Sequence, residues 1–116
     1  MEKTEFLEQH LFNDLTNLNK ESEADDSYQF SEADFEIVLQ RAEHFGLGVF
    51  TIESWHNGVS TGVSKHEDFR KKATDAKWYK KAFLTSRKGQ AGLTYAGTYK
   101  ISSKLLSRET FQEDEE

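Results

Sequence analysis

The chain contains no cysteine and no proline. The absence of cysteine excludes a disulfide framework, a thiolate metal site and a cysteine nucleophile, and without proline no cis-proline turn can form. The amino terminus is acidic and lacks the apolar core of a secretory signal. No apolar run approaches the roughly 20 residues that a membrane span needs. We therefore expect a cytoplasmic protein with no membrane partner.

The length and the aromatic content predict one folded unit. A chain of 116 residues has the size of a single domain, which we expect over residues 1–111, followed by a disordered acidic tail at 112–116. The hydrophobic fraction is only 35%, but the chain has nine phenylalanine, four tyrosine and two tryptophan residues. Because each buried aromatic side chain removes roughly 150–250 Å² from water, a thin core can still fold.

Charge is unevenly distributed along the chain. Residues 1–64 carry 3 basic and 13 acidic side chains, residues 65–104 carry 11 basic and 3 acidic ones, and the rest is acidic again. Such asymmetry has two interpretations. It can mark a binding surface, or the acidic and basic segments can face each other within one fold.

Two helices are predicted in the first half of the chain. The first spans residues 4–18, and its apolar stripe consists of Leu7, Leu11, Leu15 and Leu18. The polar segment 19–27 follows, so this helix could form a separable arm. The second helix begins at Ser31, whose side chain can cap the first turn, and ends at Gly46, which adopts a positive φ at little energetic cost.

A β-hairpin is predicted at the centre of the chain. The dipeptide Asn57-Gly58 favours a type I′ turn, which needs a positive φ at both residues. The turn fixes a register. On the mainly apolar face it pairs His56 with Val59, Ser54 with Thr61, Ile52 with Val63 and Phe50 with Lys65. On the mainly polar face it pairs Val49, Thr51, Glu53 and Trp55 with His66, Ser64, Gly62 and Ser60.

The remaining elements complete an α+β fold. A helix is predicted over 75–88, with Trp78, Tyr79, Ala82 and Phe83 as its buried stripe. Residues 66–73 can form a short helix before it, 93–101 a third strand, and 103–111 a terminal helix. We thus predict an antiparallel sheet of at least three strands with helices packed on one face.

No catalytic, cofactor or metal site is predicted. Residues 58–62 match the GxSxG pattern of a hydrolase nucleophile elbow, but Ser60 would lie in a hairpin strand rather than between a strand and a helix. None of the four histidines has the helical i, i+4 spacing of a zinc motif. We therefore expect a non-enzymatic protein. An enzyme or small-ligand binder with a pocket between sheet and helices stays an alternative, and its first candidate residues are His56, Glu53, Ser60, Tyr95 and Tyr99.

A lysine-rich segment offers a second alternative, a weak nucleic-acid binder. Basic residues interleaved with aromatic ones suit phosphate contact and base stacking, although the sequence pI of about 5.2 is far from that of a typical nucleic-acid-binding domain. The predicted basic patch over residues 65–88 consists of Lys71, Lys72, Lys77, Lys80, Lys81, Arg87 and Lys88.

The favoured hypothesis is a protein interaction module that binds another protein or a second copy of itself. Its predicted surface is the polar sheet face, with Trp55, Glu53, Ser60 and Lys100. An exposed tryptophan beside small residues suits an interface, because tryptophan is enriched among the residues that dominate binding energy.

Overall fold

A computed structural model describes residues 2–19 and 28–107. In chain order the elements are α1 (Lys3–Phe6), a π-helical segment (Leu7–Leu11), β1 (Phe30–Ser31), α2 (Glu32–Phe45), β2 (Gly48–His56), β3 (Val59–Lys65), a 3₁₀ helix (His66–Phe69), α3 (Ala76–Gly89) and β4 (Thr94–Lys100). Residues 103–107 are also helical. The four strands form one antiparallel sheet in the order β1-β4-β2-β3. The predicted α+β class and hairpin are confirmed.

The helices pack against one face of the sheet. On β4, Tyr95 stacks on Phe35 of α2 and meets Phe83 of α3 edge-on, at centroid distances of 5.4 and 5.0 Å. We call this side the helix face. The buried side chains of the sheet that point to it are Phe30, Val49, Ile52, Ser54, Tyr95 and Tyr99.

The first helix is shorter than predicted. Helical structure ends at Leu11 rather than at residue 18. Only part of the leucine stripe is buried, since Leu18 is 47% exposed. The aromatic residues at its margins, Phe6 and Phe12, are instead buried with Leu7 and Leu11 in the same core as the sheet.

The second helix begins and ends as predicted. The Ser31 hydroxyl accepts a hydrogen bond from the Asp34 amide at 3.2 Å, and Gly46 closes the helix with a φ of 68°. Both ends depend on side-chain or backbone chemistry within a few residues, which explains why the sequence alone locates them.

The hairpin has the predicted turn but not the predicted register. Asn57 and Gly58 have φ values of 52° and 81°, and the pair His56–Val59 is as expected. A β-bulge then places Ser54 opposite Gly62 rather than Thr61, and every later pair is shifted by one residue. Because successive side chains alternate between faces, Val63 shares a face with its partner Glu53 instead of Ile52.

A second bulge, in β2, changes which side chains of this strand point to the helices. The pairing of β2 with β4 passes from Val49–Tyr99 directly to Thr51–Thr98, so Phe50 is the additional residue. As a result Val49 is fully buried whereas Phe50 is 39% exposed. The sequence places Val49 on the polar face, which is wrong, since Val49 lies in the core. Phe50, predicted on the apolar face, is the bulged residue and is only partly covered.

The third helix and the last strand agree with the sequence pattern. Trp78, Tyr79, Ala82 and Phe83 are buried. Strand β4 alternates as expected, with Tyr95 and Tyr99 in the core, although Ala96 on the opposite face is also buried. The two-residue strand β1, which pairs with β4, was not predicted. The predicted tail at 112–116, most of the loop 19–27 and the end of the terminal helix lie outside the described residues.

Candidate functional site: the open sheet face

The face of the sheet opposite the helix face is polar. Alternation along the paired strands brings to it the side chains of β2, β3 and β4 that lie between the buried positions. We call this side the open face. Its residues are Thr51, Glu53, Trp55, Ser60, Val63, Lys65, Thr94, Ala96, Thr98 and Lys100.

Trp55 lies on the open face at the turn end of the hairpin. It pairs with Ser60 of β3 on one side and with Thr94 of β4 on the other. Its side chain is partly exposed. Both partners are small residues, and the pairing of Trp55 with Ser60 is the one that the turn predicts.

Glu53 and Ser60 form a polar pair next to this tryptophan. The Ser60 hydroxyl donates a hydrogen bond to Glu53 Oε2 at 2.8 Å. Within the described residues no histidine is hydrogen-bonded to the Ser60 hydroxyl, and the serine lies inside β3 with no helix following it directly. This arrangement lacks the imidazole and the strand-to-helix turn that a nucleophile elbow requires.

Val63 adds an apolar side chain to the open face near Trp55, which the sequence prediction missed. The bulge at Thr61 rotates Val63 to the open face, where it pairs with Glu53 and stays 49% exposed. The signal in the sequence was Gly62, since a glycine within a strand often marks a bulge. We call Trp55, Glu53, Ser60 and Val63 the hairpin patch.

Lys100 shares the open face but not the hairpin patch. It pairs with Gly48 at the other end of β2, six residues along β4 from Thr94, the partner of Trp55. At about 3.3 Å per residue, this separates Lys100 from Trp55 by roughly 20 Å. One small contact surface therefore does not include both.

The lysine-rich segment is divided by the fold. Lys80 forms an ion pair with Glu43 at 2.6 Å, and Arg87 reaches Glu32 and Glu36 at 3.4 and 3.2 Å. All three carboxylates belong to α2. The acidic and basic segments thus face each other where these two helices pack, as one of the two interpretations of the charge asymmetry expected.

The other members of the predicted basic patch stay at the surface. Their side chains are exposed, and within residues 2–19 and 28–107 none has a carboxylate partner; they are Lys71, Lys72, Lys77, Lys81 and Lys88. Trp78 and Tyr79 are each 1% exposed, so neither ring is available to stack on a nucleic-acid base. The segment retains charge without the interleaved aromatic surface that nucleic-acid binding would use.

The residues considered for a small-ligand pocket do not converge. Tyr95 and Tyr99 are buried on the helix face, whereas Glu53 and Ser60 lie on the open face. His56 stands at the turn. Burial is the main cause that raises the pKa of Tyr95, and Glu32 raises it further while Arg87 opposes the shift. This tyrosine is therefore a neutral core side chain rather than an accessible acid or base.

The described histidines have separate surroundings and do not form a cluster of metal ligands. His10 packs against the rings of Phe6 and Phe45, and His66 Nδ1 lies 2.7 Å from the Lys71 carbonyl oxygen. In the part of the chain that the structure describes, no three histidine or carboxylate side chains come together as metal ligands would.

Comparison with known proteins adds no functional assignment. The chain matches no protein-family model, no curated protein and no solved structure. Across the described ranges, no helix has both the length and the apolar character that crossing a bilayer demands. The geometry of the open face is thus the basis for a functional proposal.

Proposed function

We propose that this chain is a non-enzymatic module that binds a protein partner through the hairpin patch. The observation that carries the proposal is Trp55, a partly exposed tryptophan on the sheet face opposite the helices. A tryptophan in such a position gains a large apolar contact area when a partner removes the rest of the ring from water. The exposed side chain of Val63 adds apolar surface beside it.

The polar members of the hairpin patch, Glu53 and Ser60, would orient a bound partner. Glu53 is held by the Ser60 hydroxyl, so its carboxylate is preorganised and loses little conformational freedom when a partner donates to it. An apolar centre with a held carboxylate at its margin is the usual composition of a protein interface, in which polar groups surround the residues that contribute most of the binding energy.

The test is affinity capture with the purified protein, with and without nuclease, followed by mass spectrometry. We expect a stoichiometric protein that survives nuclease and is lost with Trp55→Ala, because truncating a central interface tryptophan weakens binding by at least about 2 kcal/mol, or roughly thirtyfold. Sedimentation equilibrium of both forms shows whether that partner is a second copy of the chain.

Leu84→Ala is the matched control. Leu84 is a large apolar residue that is 41% exposed, but it lies on α3, on the helix-face side of the molecule. Its removal should leave capture unchanged. Equal capture by Trp55→Ala, with an unaltered circular dichroism spectrum, would refute the proposal, as would bound material that nuclease removes entirely.

A further inference from the structure

The solvent side of α3 has one large apolar residue among cations. Leu84 is 41% exposed. On a helix, residues three, four or seven positions apart share one face. The residues at these distances from Leu84 include five cations, which are Lys77, Lys80, Lys81, Arg87 and Lys88. We call Leu84 and these five residues the basic stripe, in which an apolar side chain lies within a positively charged surface.

A groove between α2 and α3 borders the basic stripe. Its volume is about 220 Å³. Its apolar lining comes from Leu39 of α2 and from Phe83 and Leu84 of α3. Small-molecule pockets usually have volumes of roughly 300–1,000 Å³, so this groove is better matched to one large side chain of a peptide than to a whole ligand.

Positive charge exceeds negative charge along the basic stripe. Lys80 and Arg87 are paired with carboxylates of α2, and the Asp75 carboxylate caps the first turn of α3. The remaining cations are exposed and have no carboxylate partner within residues 2–19 and 28–107; they are Lys77, Lys81 and Lys88. The occupant that complements this surface is therefore acidic and has one large apolar side chain.

The carboxyl-terminal residues of the same chain have this composition. Residues 108–116 contain five acidic side chains and one basic one. Their one large apolar residue is Phe111, with Glu109 before it and four acidic residues at 113–116 after it. This order places negative charge on both sides of the phenyl ring, as the basic stripe places positive charge on both sides of Leu84.

Strand β4 ends close to the start of α3. Its last residue, Lys100, pairs with Gly48, and a Cβ atom on Gly48 would lie 3.2 Å from Lys100 Cβ and 3.3 Å from Ala73 Cβ. Helix α3 begins at Ala76, shortly after Ala73. The chain therefore leaves the sheet beside the end of α3 at which the basic stripe begins.

The carboxyl-terminal residues are long enough to cover the basic stripe. Residues 101–107 connect them to β4, and Leu105 and Leu106 keep this connection against the core. An extended segment with the length of 108–116 spans about 30 Å, whereas Lys77 and Lys88 are separated by about 17 Å along the axis of α3. The segment is thus able to follow α3 from its first turn to its last.

We infer that residues 108–116 bind the basic stripe of the same chain, with Phe111 in the groove beside Leu84 and the acidic residues over the unpaired lysines. Bound in this way, the segment shields Lys77, Lys81 and Lys88 from other polyanions. This inference goes beyond the proposed function and does not depend on it, because the basic stripe and the hairpin patch have no residue in common.

The test is a spin label on the carboxyl-terminal segment of the full chain. Because the chain has no cysteine, Gln112→Cys gives a single attachment site for a nitroxide. Nuclear magnetic resonance at low salt should show broadened amide signals at Lys81, Leu84 and Lys88. High salt should restore these signals, because it screens attraction between exposed charges. Sharp signals throughout α3 at low salt would overturn the inference.

Charge reversal on the basic stripe identifies the contact. In the labelled protein, Lys77→Glu/Lys81→Glu should remove most of the broadening, because two attractive interactions become repulsive. Lys3→Glu/Lys65→Glu is the matched control, since it makes the same charge change at two exposed lysines outside α3, and it should keep the broadening. Phe111→Ser should also reduce it, because the groove loses its apolar occupant. Equal broadening in the two charge variants would contradict the inference.

Elution from a heparin column tests the shielding of the lysines. Neutralising the acidic end of the chain should raise the salt concentration needed for elution, and the variant is Glu113→Gln/Asp114→Asn/Glu115→Gln/Glu116→Gln. The matched control removes the same number of negative charges from another segment, as Glu21→Gln/Glu23→Gln/Asp25→Asn/Asp26→Asn. It should elute at lower salt than the first variant. Elution of both at the same salt concentration would refute the shielding.

Contact between two copies gives a different result. Isotope-labelled protein without the nitroxide, mixed with nitroxide-labelled protein of natural isotope abundance, reports only contacts between molecules. Sharp α3 signals in this mixture support a contact within one chain. Broadened α3 signals would assign the segment to a second copy and overturn the inference, as would broadening that is confined to the hairpin patch.

Discussion

At the scale of single residues, Tyr95 has a buried hydroxyl group in an unusual environment. Its side chain is fully buried between Phe35 and Phe83, and its hydroxyl has no hydrogen-bond partner in the described structure. A buried polar group without a partner destabilises the folded state by about 1–3 kcal/mol, since it loses its hydrogen bonds to water. The ring itself contributes the usual apolar stabilisation.

Tyr95→Phe should therefore not destabilise the protein. We expect an unfolding free energy equal to that of the wild type or higher by up to about 2 kcal/mol, measured by urea denaturation followed by circular dichroism. Tyr28→Phe is the control, because Tyr28 is only partly buried and its hydroxyl donates a hydrogen bond to Glu8 Oε1 at 3.5 Å. A clear loss of stability in Tyr95→Phe alone would show that the hydroxyl is satisfied in solution.

Ionisation of Tyr79 is expected to lower the free energy of unfolding at alkaline pH. Burial, and then the nearby charges of Glu43 and Asp75, raise its pKa from 10.0 to about 12. In the unfolded chain the same group ionises near pH 10. The native state therefore holds the proton more tightly, and the resulting stability is fully present below pH 10 and is lost as pH rises towards 12.

Tyr79→Phe should remove this dependence. Between pH 10 and pH 11 we expect the wild type to lose about 1 kcal/mol more stability than the variant, measured by denaturation at each pH. The difference between the two curves isolates Tyr79, because every other group is common to both proteins. Parallel curves for the two proteins would show that the pKa of Tyr79 is not raised by folding.

Burial of single residues was predictable where helical periodicity is strong. The stripe Trp78, Tyr79, Ala82 and Phe83 follows directly from its spacing. The missing partner of the Tyr95 hydroxyl was not predictable, because the position of every other polar group in the core depends on how α2 and α3 pack. The sequence records the tyrosine but not what surrounds its hydroxyl.

At the scale of elements, Gly97 explains how β4 fits into the centre of the sheet. A Cβ atom at this position would lie 2.9 Å from Tyr99 Oη and 3.0 Å from Cζ. The Tyr99 ring therefore lies across the backbone of Gly97, which no larger residue permits without displacement. The glycine serves close packing here rather than a turn.

Gly97→Ala should destabilise the fold by about 1–3 kcal/mol, the usual penalty for forcing extra volume into a packed core. Gly89→Ala is the control, because nothing lies within 4 Å of a Cβ atom there and the residue ends α3. Alanine at 89 should be neutral or stabilise by up to about 1 kcal/mol. Thermal unfolding of both variants measures the difference, and equal melting temperatures would contradict this account of Gly97.

Element boundaries were predictable where their signals are local. The cap at Ser31, the stop at Gly46 and the turn at Asn57-Gly58 each depend on a few adjacent residues. The two bulges at Phe50 and Thr61 were not found, since a bulge is defined by the partner strand. Strand β1 has only two residues, too few to show any alternation.

At the scale of the whole molecule, the amino-terminal helical segment is part of the core. Phe6, Leu7, Leu11 and Phe12 are each at most 5% exposed. Burial of side chains of this size contributes about 1.5–3 kcal/mol each. The four together rival the total stability of roughly 5–15 kcal/mol that is typical of natural proteins.

Deletion of residues 2–12 should therefore abolish cooperative folding at room temperature or lower the melting temperature sharply. Circular dichroism and calorimetry would measure this. Deletion of residues 2–5 alone is the control, because these side chains are exposed and their loss should have little effect. An unchanged melting temperature in the longer deletion would revive the expectation of a separable arm.

The candidate site was only partly predictable at this scale. The pairing of Trp55 with Ser60 could be predicted, because the two-residue turn sets the register of the strand residues close to it. The distance between Trp55 and Lys100 depends on the pairing of β2 with β4, and the free edge of β3 depends on the strand order. Both are tertiary properties that no local signal in the sequence specifies.

The strand order also sets the timing of folding during synthesis. Strand β4 lies between β1 and β2 in the sheet but is the last of the four to leave the ribosome. Until it emerges, the nascent chain can form only the β2–β3 hairpin, and two strands alone are marginally stable in water. The four-stranded sheet therefore forms only after β4 has been made, and until then β2 is a second unpaired strand edge that is prone to aggregation.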